Sequence, residues 1–101
     1  MELLTAGLNH TTADVALRER VSLTGAALDA ALRELRQQPG VQEVAVLSTC
    51  NRTEIYCLAE GATPDLAGWL ARHQQLPDAS LRRAMYQYRD QDALRHMMRV
   101  A

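Results

Sequence analysis

The feature that most constrains the fold is a pair of short strand-forming segments separated by a polar break. Val44–Leu47 is almost entirely apolar, as a buried strand is. Ser48–Arg52 interrupts this pattern, and Glu54–Ala59 then resumes it with residues that favour strands. Because so few residues separate the two segments, we expect them to pair in antiparallel fashion.

Further strands and helices are predicted on both sides of this pair. Leu3–Leu8 has the pattern of a first strand, and Ala84–Arg89 alternates apolar and polar residues as a half-buried strand does. Capping residues and apolar spacing predict four helices. These run from Thr11 or Thr12 to about Arg20, from Thr24 to about Gln38, from Thr63-Pro64-Asp65 through His73, and from Gln91 to the end.

The predicted order β-α-α-β-β-α-β-α indicates an α+β fold. We expect a mostly antiparallel four-stranded sheet packed with helices, ferredoxin-like in class. The 101 residues suffice for one domain. The last helix has no glycine or proline stop signal, so we expect residues 1–101 to be part of a longer protein.

The charge and the hydropathy of the sequence limit the classes of function that this chain can have. The net charge is −1, and five of the eleven arginines fall in the last 20 residues beside only two acids. Such a basic patch either contacts phosphate or is an ordinary solvated face. The absence of lysine removes Schiff-base chemistry. With no apolar run of membrane length and no signal-peptide pattern, we expect a cytoplasmic protein without membrane contact.

The two cysteines, Cys50 and Cys57, are too few for a structural zinc site, and we predict no metal. If the chain reverses near Asn51–Thr53, Cys57 lies across from about position 46 and not from Cys50. We therefore predict two free thiols, with Cys57 packed within a strand. The glycines never approach GxGxxG or GxxxxGK spacing, so no cofactor-binding residue is predicted in this chain.

The candidate nucleophile is Cys50, within LSTCNRTEIYC at residues 47–57. A strand that ends among small polar residues can hold a thiol rigidly at a cleft. Arg52 is expected either to favour the thiolate form of Cys50 or to grip a substrate carboxylate. Thr49, Asn51 and Thr53 offer hydroxyl and amide groups to a polarised carbonyl. The alternative is that Cys50 is a small buried hydrophobe.

The second candidate is His96, on the final predicted helix. At 100° per residue, Leu94, Met98 and Ala101 share one face of that helix, and His96 points roughly away from them. His96 then either faces a cleft as an acid or base, or is simply exposed to solvent.

Three segments, in order along the chain, resemble the glutamyl-tRNA reductase family. They are GLNHTTADVALRE at 7–19, STCNRTEIY at 48–56, which is similar to the family's active-site signature, and RHMMRVA at 95–101. The resemblance covers the whole chain but only the first domain of the family protein. Asp14 stands where the family often has proline, and either residue suits the start of a helix.

The resemblance implies NADPH-dependent reduction of glutamyl-tRNA to glutamate-1-semialdehyde, the first step of the C5 route to tetrapyrroles. It implies that Cys50 attacks the aminoacyl ester and expels tRNA. Thr49 and Arg52 would hold the glutamyl group, with Asn51 in the same loop, and His96 would be important for activity.

The resemblance also implies what this chain lacks. NADPH binding and dimerisation would lie beyond residue 101, so the chain alone is not expected to complete the reduction. The implied partners are glutamyl-tRNA and a second copy of the full-length protein, and channelling to glutamate-1-semialdehyde aminotransferase is compatible with this assignment.

Two other functions stay open. One is a non-catalytic tRNA-binding module that uses the basic C-terminal patch, although Tyr86 and Tyr88 are the only close aromatic pair such a surface could use. The other is a regulatory interaction domain in which Cys50 is inert.

Overall fold

In a computed structural model, which describes all residues 1–101, four strands form one antiparallel sheet. Nine elements follow one another along the chain. They are β1 (Glu2–Asn9), α1 (Val15–Val21), α2 (Gly25–Arg36), β2 (Val41–Ser48), β3 (Arg52–Ala59), α3 (Leu66–His73), α4 (Asp78–Ala84), β4 (Tyr86–Arg89) and α5 (Asp90–Val100).

The strand order across the sheet is β2-β3-β1-β4, and every neighbouring pair is antiparallel. β3 therefore lies between β1 and β2, which α1 and α2 connect. In the same way β1 lies between β3 and β4, which α3 and α4 connect. Two interlocked units of this kind make the ferredoxin-like arrangement, and the predicted α+β class is confirmed.

The prediction lacked one helix, and it began one strand too early in the sequence. α4 occupies Asp78–Ala84, so β4 begins at Tyr86 and the order becomes β-α-α-β-β-α-α-β-α. Apolar and polar residues alternate from Ala84 onward in the sequence. Only the residues after Met85 form a strand, because Ala84 is the last residue of α4. The missed helix is short, but Asp78 pairs with Arg82 one turn later, and Leu81 is fully buried.

The start of α1 and the position of the chain reversal also differ from expectation. Asp14, not Thr11 or Thr12, caps α1, accepting a hydrogen bond from the Leu17 backbone N–H at 2.9 Å. The chain reverses at Cys50–Asn51, somewhat earlier than expected, so Cys57 lies opposite Val44. The two cysteines are both free, as predicted.

The main core lies on one face of the sheet. α1 to α4 cover this face, and their apolar residues pack against alternate residues of β1 and β3. Each fully buried leucine here stabilises the fold by roughly 2 kcal/mol. The largest members are Leu8, Leu23, Leu35, Ile55, Leu70 and Leu81.

The opposite face of the sheet is covered by α5 alone, which contacts β1 and β4. Ala93 is fully buried under this helix, whereas Leu94 and Met98 are 52% and 72% exposed. The side of the helix that carries His96 therefore faces the sheet, and the apolar stripe faces solvent. None of the five helices has both the length and the apolar character needed to cross a bilayer.

Candidate functional site

Cys50 lies at the tip of the hairpin between β2 and β3. Ser48 pairs with Thr53, and the Thr49 N–H donates to the Arg52 carbonyl at 2.8 Å, which leaves Cys50 and Asn51 as a two-residue turn. The Thr49 hydroxyl oxygen accepts hydrogen bonds from the N–H groups of Asn51 and Arg52, each at 3.2 Å. The turn is thus braced from within, and Cys50 is exposed at its tip.

A cleft of about 520 Å³ opens beside the thiol, between the hairpin tip and α1. Arg18 joins its two walls: Nε donates to the Cys50 carbonyl at 3.3 Å and Nη1 to the Ala13 carbonyl at 2.8 Å. The predicted residues Thr49, Cys50 and Asn51 therefore share one site. The cleft is lined by Val15, Arg18, Glu19, Ser22, Thr24, Thr49, Cys50 and Asn51.

Arg52 does not line this cleft. Its side chain lies with that of Glu54 on the α5 face of β3, where Nη1 contacts a Glu54 oxygen at 3.4 Å. This contact is the only hydrogen bond of its guanidinium group. The guanidinium that contacts the Cys50 loop is that of Arg18, which was not singled out from the sequence. That Arg52 grips a substrate carboxylate or favours the thiolate stays a prediction.

Glu54 is the centre of a buried polar cluster under α5. Its side chain is 0% exposed, and both carboxylate oxygens are occupied. Oε1 accepts from the Tyr56 hydroxyl at 2.7 Å and from Arg52, while Oε2 accepts from the Tyr86 hydroxyl at 2.6 Å and bonds to His96 Nε2. A buried carboxylate with four partners is fully satisfied.

The protonation of this cluster follows from its contacts. Burial raises the pKa of Glu54, but the hydrogen bonds from Tyr56, Tyr86 and His96 outweigh burial and bring the pKa below its ordinary value. Burial first, and then the Glu54 carboxylate, raise the pKa of both tyrosines. Glu54 is therefore ionised at neutral pH, and both tyrosine hydroxyls keep their protons to donate.

The His96 ring contacts three other side chains. Besides the bond to Glu54, its ring packs against those of Tyr86 and Tyr88, with centroid distances of 5.1 and 4.8 Å. Its side chain is 12% exposed, so the solvent-facing interpretation was wrong. Because Nε2 is engaged, any acid–base role must use Nδ1, and that role stays a prediction.

Gly7 makes room for the Glu54 cluster. It pairs with Glu54 across β1 and β3. A Cβ at this position would lie 2.7 Å from the Thr53 carbonyl oxygen and 2.8 Å from Glu54 Cγ, closer than packed atoms allow. Only glycine lets the two strands and the carboxylate occupy this space.

Several residues of the buried polar cluster were overlooked because only the alternation of residues along a strand indicates them. Positions 52, 54 and 56 share one face of β3, and a glutamate at the centre of that face needs buried partners. Tyr86 and Tyr88 had been considered only as a surface for bases. They are the partners of Glu54 and His96 on the neighbouring part of the sheet.

The other cysteine is buried, and most arginines of the basic patch are paired with carboxylates. Cys57 is 2% exposed, and burial raises the pKa of its thiol. No group of three or more His, Cys, Asp or Glu side chains is placed to hold a metal ion. In the basic patch, Arg82 pairs with Asp65 and Asp78, Arg89 with Glu2, and Arg95 with Asp92.

Comparison with known proteins shows the family of the chain. A family model described as glutamyl-tRNAGlu reductase, N-terminal domain, matches residues 6–101. The chain is 52% identical over 101 residues to a glutamyl-tRNA reductase of Alcanivorax borkumensis, and 49% identical over 102 residues to one of Chromohalobacter salexigens. Each match covers 100% of this chain and 24% of the relative.

A solved structure is similar as well. The glutamyl-tRNA reductase from Methanopyrus kandleri matches with a TM-score of 0.69 and 26% identity, covering 97% of this chain and 21% of that one. The chain thus spans about a quarter of the length of its curated relatives. With the family model matching nearly every residue, the chain belongs to the glutamyl-tRNA reductase family and corresponds to its N-terminal domain.

Proposed function

We propose that this chain is the domain in which a glutamyl-tRNA reductase forms its glutamyl thioester, on Cys50. One observation carries the proposal: of the two thiols, Cys50 alone is exposed, at the tip of a braced hairpin that opens onto a cleft. The other thiol, Cys57, is buried in the sheet. Reactive cysteines occur in accessible, cationic surroundings, and Arg18 supplies the cation here.

The proposed step is an acyl transfer. The Cys50 thiolate attacks the ester carbonyl carbon of glutamyl-tRNA, and a C–S bond forms as the C–O bond to the 3′-terminal ribose breaks. The ribose oxygen leaves with the bonding electrons and takes up a proton. A thioester carbonyl is less stabilised than that of the ester, so this step prepares the acyl group for reduction. The braced turn holds the sulfur in position for attack.

In this proposal Arg52 binds the free carboxylate of the glutamyl group. Nη1 of Arg52 is held by Glu54, while Nε and Nη2 make no protein hydrogen bond. Those two nitrogens form one edge of the guanidinium, which suits bidentate contact with a carboxylate. Glu54 then acts as a positioning residue, because it fixes Arg52 without itself contacting the substrate.

The hydride of the family's reaction comes from NADPH, and the residues of this chain do not fit that cofactor. The glycines lack dinucleotide-binding spacing, and the sheet is antiparallel throughout, without the crevice at the ends of parallel strands that such cofactors use. We therefore assign no hydride step to this chain. Reduction to glutamate-1-semialdehyde, dimerisation, channelling to the aminotransferase and a cytoplasmic location belong to the proposal for the longer protein.

The alternative of a tRNA-binding module built on the basic patch is less well supported. Three of its five arginines are already paired with carboxylates, which leaves Arg83 and Arg99. A surface neutralised in this way offers little charge to a phosphate backbone.

Intact-mass analysis after incubation with glutamyl-tRNA tests the proposal. We expect the chain to gain one glutamyl group, which hydroxylamine removes as it does any thioester. Cys50→Ala should abolish the gain, while the matched variant Cys57→Ala should retain it. A glutamyl adduct that persists in Cys50→Ala would overturn the proposal.

A further inference from the structure

The hairpin tip has two chemically different sides. On one side lies the cleft against α1, where Arg18 and the 57% exposed Val15 are found. On the other side, across the sheet, lies the Arg52–Glu54 pair. The hairpin that carries Cys50 thus has a cation suited to a small carboxylate on one side and a cleft whose volume suits a larger group on the other.

An acyl donor bound at Cys50 has two substituents that need separate space. The carbonyl carbon of an ester is planar, and its acyl chain and its alkoxy group point away from each other. When the sulfur of Cys50 attacks that carbon, the two substituents therefore extend toward different regions of the protein. This step rests on the proposed function, in which the glutamyl carboxylate is bound by Arg52. The alkoxy group then extends toward α1.

We propose that the cleft between α1 and the hairpin tip binds the 3′-terminal nucleotide of the acyl donor. Arg18 uses Nε and Nη1 for backbone carbonyls, which leaves Nη2 to donate to the phosphate of that nucleotide. Val15 provides the apolar surface against which the base packs. The Thr24 hydroxyl, which makes no capping bond to α2, is available to the ribose.

The cleft residues match the chemistry of a leaving nucleotide better than that of the glutamyl group. Among the lining residues, the Arg18 cation, the Thr24 hydroxyl and the exposed Val15 side chain correspond to phosphate, sugar and base in turn. The cleft of about 520 Å³ is also within the size range of sites that enclose a whole small molecule.

Three donors that carry the same glutamyl group test this proposal. They are 2′(3′)-O-glutamyl-AMP, 2′(3′)-O-glutamyl-adenosine, and the α-glutamyl ester of ethylene glycol, each an ester of a vicinal diol. The rate of Cys50 acylation by each donor is measured by intact mass at low donor concentration. We expect the nucleotide ester to react about tenfold faster or more than the glycol ester, as one charge-assisted hydrogen bond provides.

Variants on α1 separate substrate binding from bracing of the loop. Arg18→Gln should reduce the advantage of the AMP ester over the adenosine ester, and Val15→Ala should reduce the advantage of both over the glycol ester. If Arg18 only braced the hairpin, Arg18→Gln would slow all three donors equally. Arg20→Gln is the matched control, because Arg20 lies on the same helix but contacts the Gln74 carbonyl outside the cleft.

The outcomes distinguish this inference from the function on which it rests. If Cys50 is acylated but shows no preference for nucleotide esters, or if the preference survives both variants, the cleft is not the nucleotide subsite. If no donor, including glutamyl-tRNA, acylates Cys50, the proposed function fails and the subsite fails with it. The subsite is established if Arg18→Gln lowers the advantage of the AMP ester over the adenosine ester and Val15→Ala lowers the advantage of both over the glycol ester.

Discussion

His96 is bonded through Nε2 to an oxygen of Glu54 in a site that excludes most solvent, with side-chain exposures of 12% and 0%. The same carboxylate also contacts Arg52, at the base of the hairpin that carries Cys50. Arg52 and His96 were both singled out from the sequence, and they lie 44 positions apart in the chain. They are joined through a third residue that had not been considered. We therefore expect the positions of Arg52 and His96 to depend on Glu54.

Glu54→Gln should lower the free energy of unfolding by about 2–4 kcal/mol. The substitution removes the charge that Arg52 pairs with and replaces one acceptor oxygen by a donor, which opposes the donors already present. Urea denaturation at pH 7 measures the change. Glu43→Gln, at an exposed glutamate of β2, is the matched control and should change little. An equal stability of Glu54→Gln and the parent chain would contradict this account.

The contribution of Glu54 should depend on pH in a defined direction. Its folded-state pKa lies below the ordinary value of 4.5, so the stabilisation is fully present above that value and is lost as the pH falls through the folded pKa. The difference in stability between the parent chain and Glu54→Gln should therefore shrink as the pH falls from 7 to 3. A difference that stays constant over this range would show that the carboxylate charge is not the cause.

Gly7→Ala should destabilise the fold by about 1–3 kcal/mol, because the added methyl would overlap the Thr53 carbonyl and Glu54 Cγ. The strain falls on the Glu54 cluster, so the environment of Tyr86 should change as well. Thermal unfolding and near-ultraviolet circular dichroism report the two effects. An unchanged melting temperature would mean that the two strands tolerate a side chain at this position.

Iodoacetamide should modify Cys50 at least about a hundredfold faster than Cys57 in the folded chain. Cys57 is buried and burial raises the pKa of its thiol, so it offers almost no accessible thiolate. In urea the two rates should converge. Comparable rates under native conditions would indicate that β3 opens readily or that Cys50 is shielded.

Much of the fold could be predicted because its signals are local. The apolar run before Ser48 and the strand-forming residues after Arg52 specify a hairpin whatever surrounds them. The helix over Asp78–Ala84 was missed because it is a short segment with only two buried residues, whose stability comes from packing against α3.

The site could be predicted only in part, for a related reason. Cys50, Thr49 and Asn51 are adjacent in the sequence, so their proximity was evident. Glu54 and Tyr86 come together only through the pairing of β1 with both β3 and β4, which no local pattern reports. The surroundings of His96 stayed open because the apolar stripe of α5 faces solvent, and the polar His96 instead meets a buried carboxylate.

The most direct test of the central claim is to locate the acyl group. Trypsin cleaves after Arg36, Arg52 and Arg72, which separates Cys50 in residues 37–52 from Cys57 in residues 53–72. After a single turnover with radiolabelled glutamyl-tRNA, quenched in acid, we predict about one label per chain, hydroxylamine-sensitive and confined to residues 37–52. Label in residues 53–72, or release of glutamate with no labelled peptide at all, would contradict the assignment of Cys50 as the nucleophile.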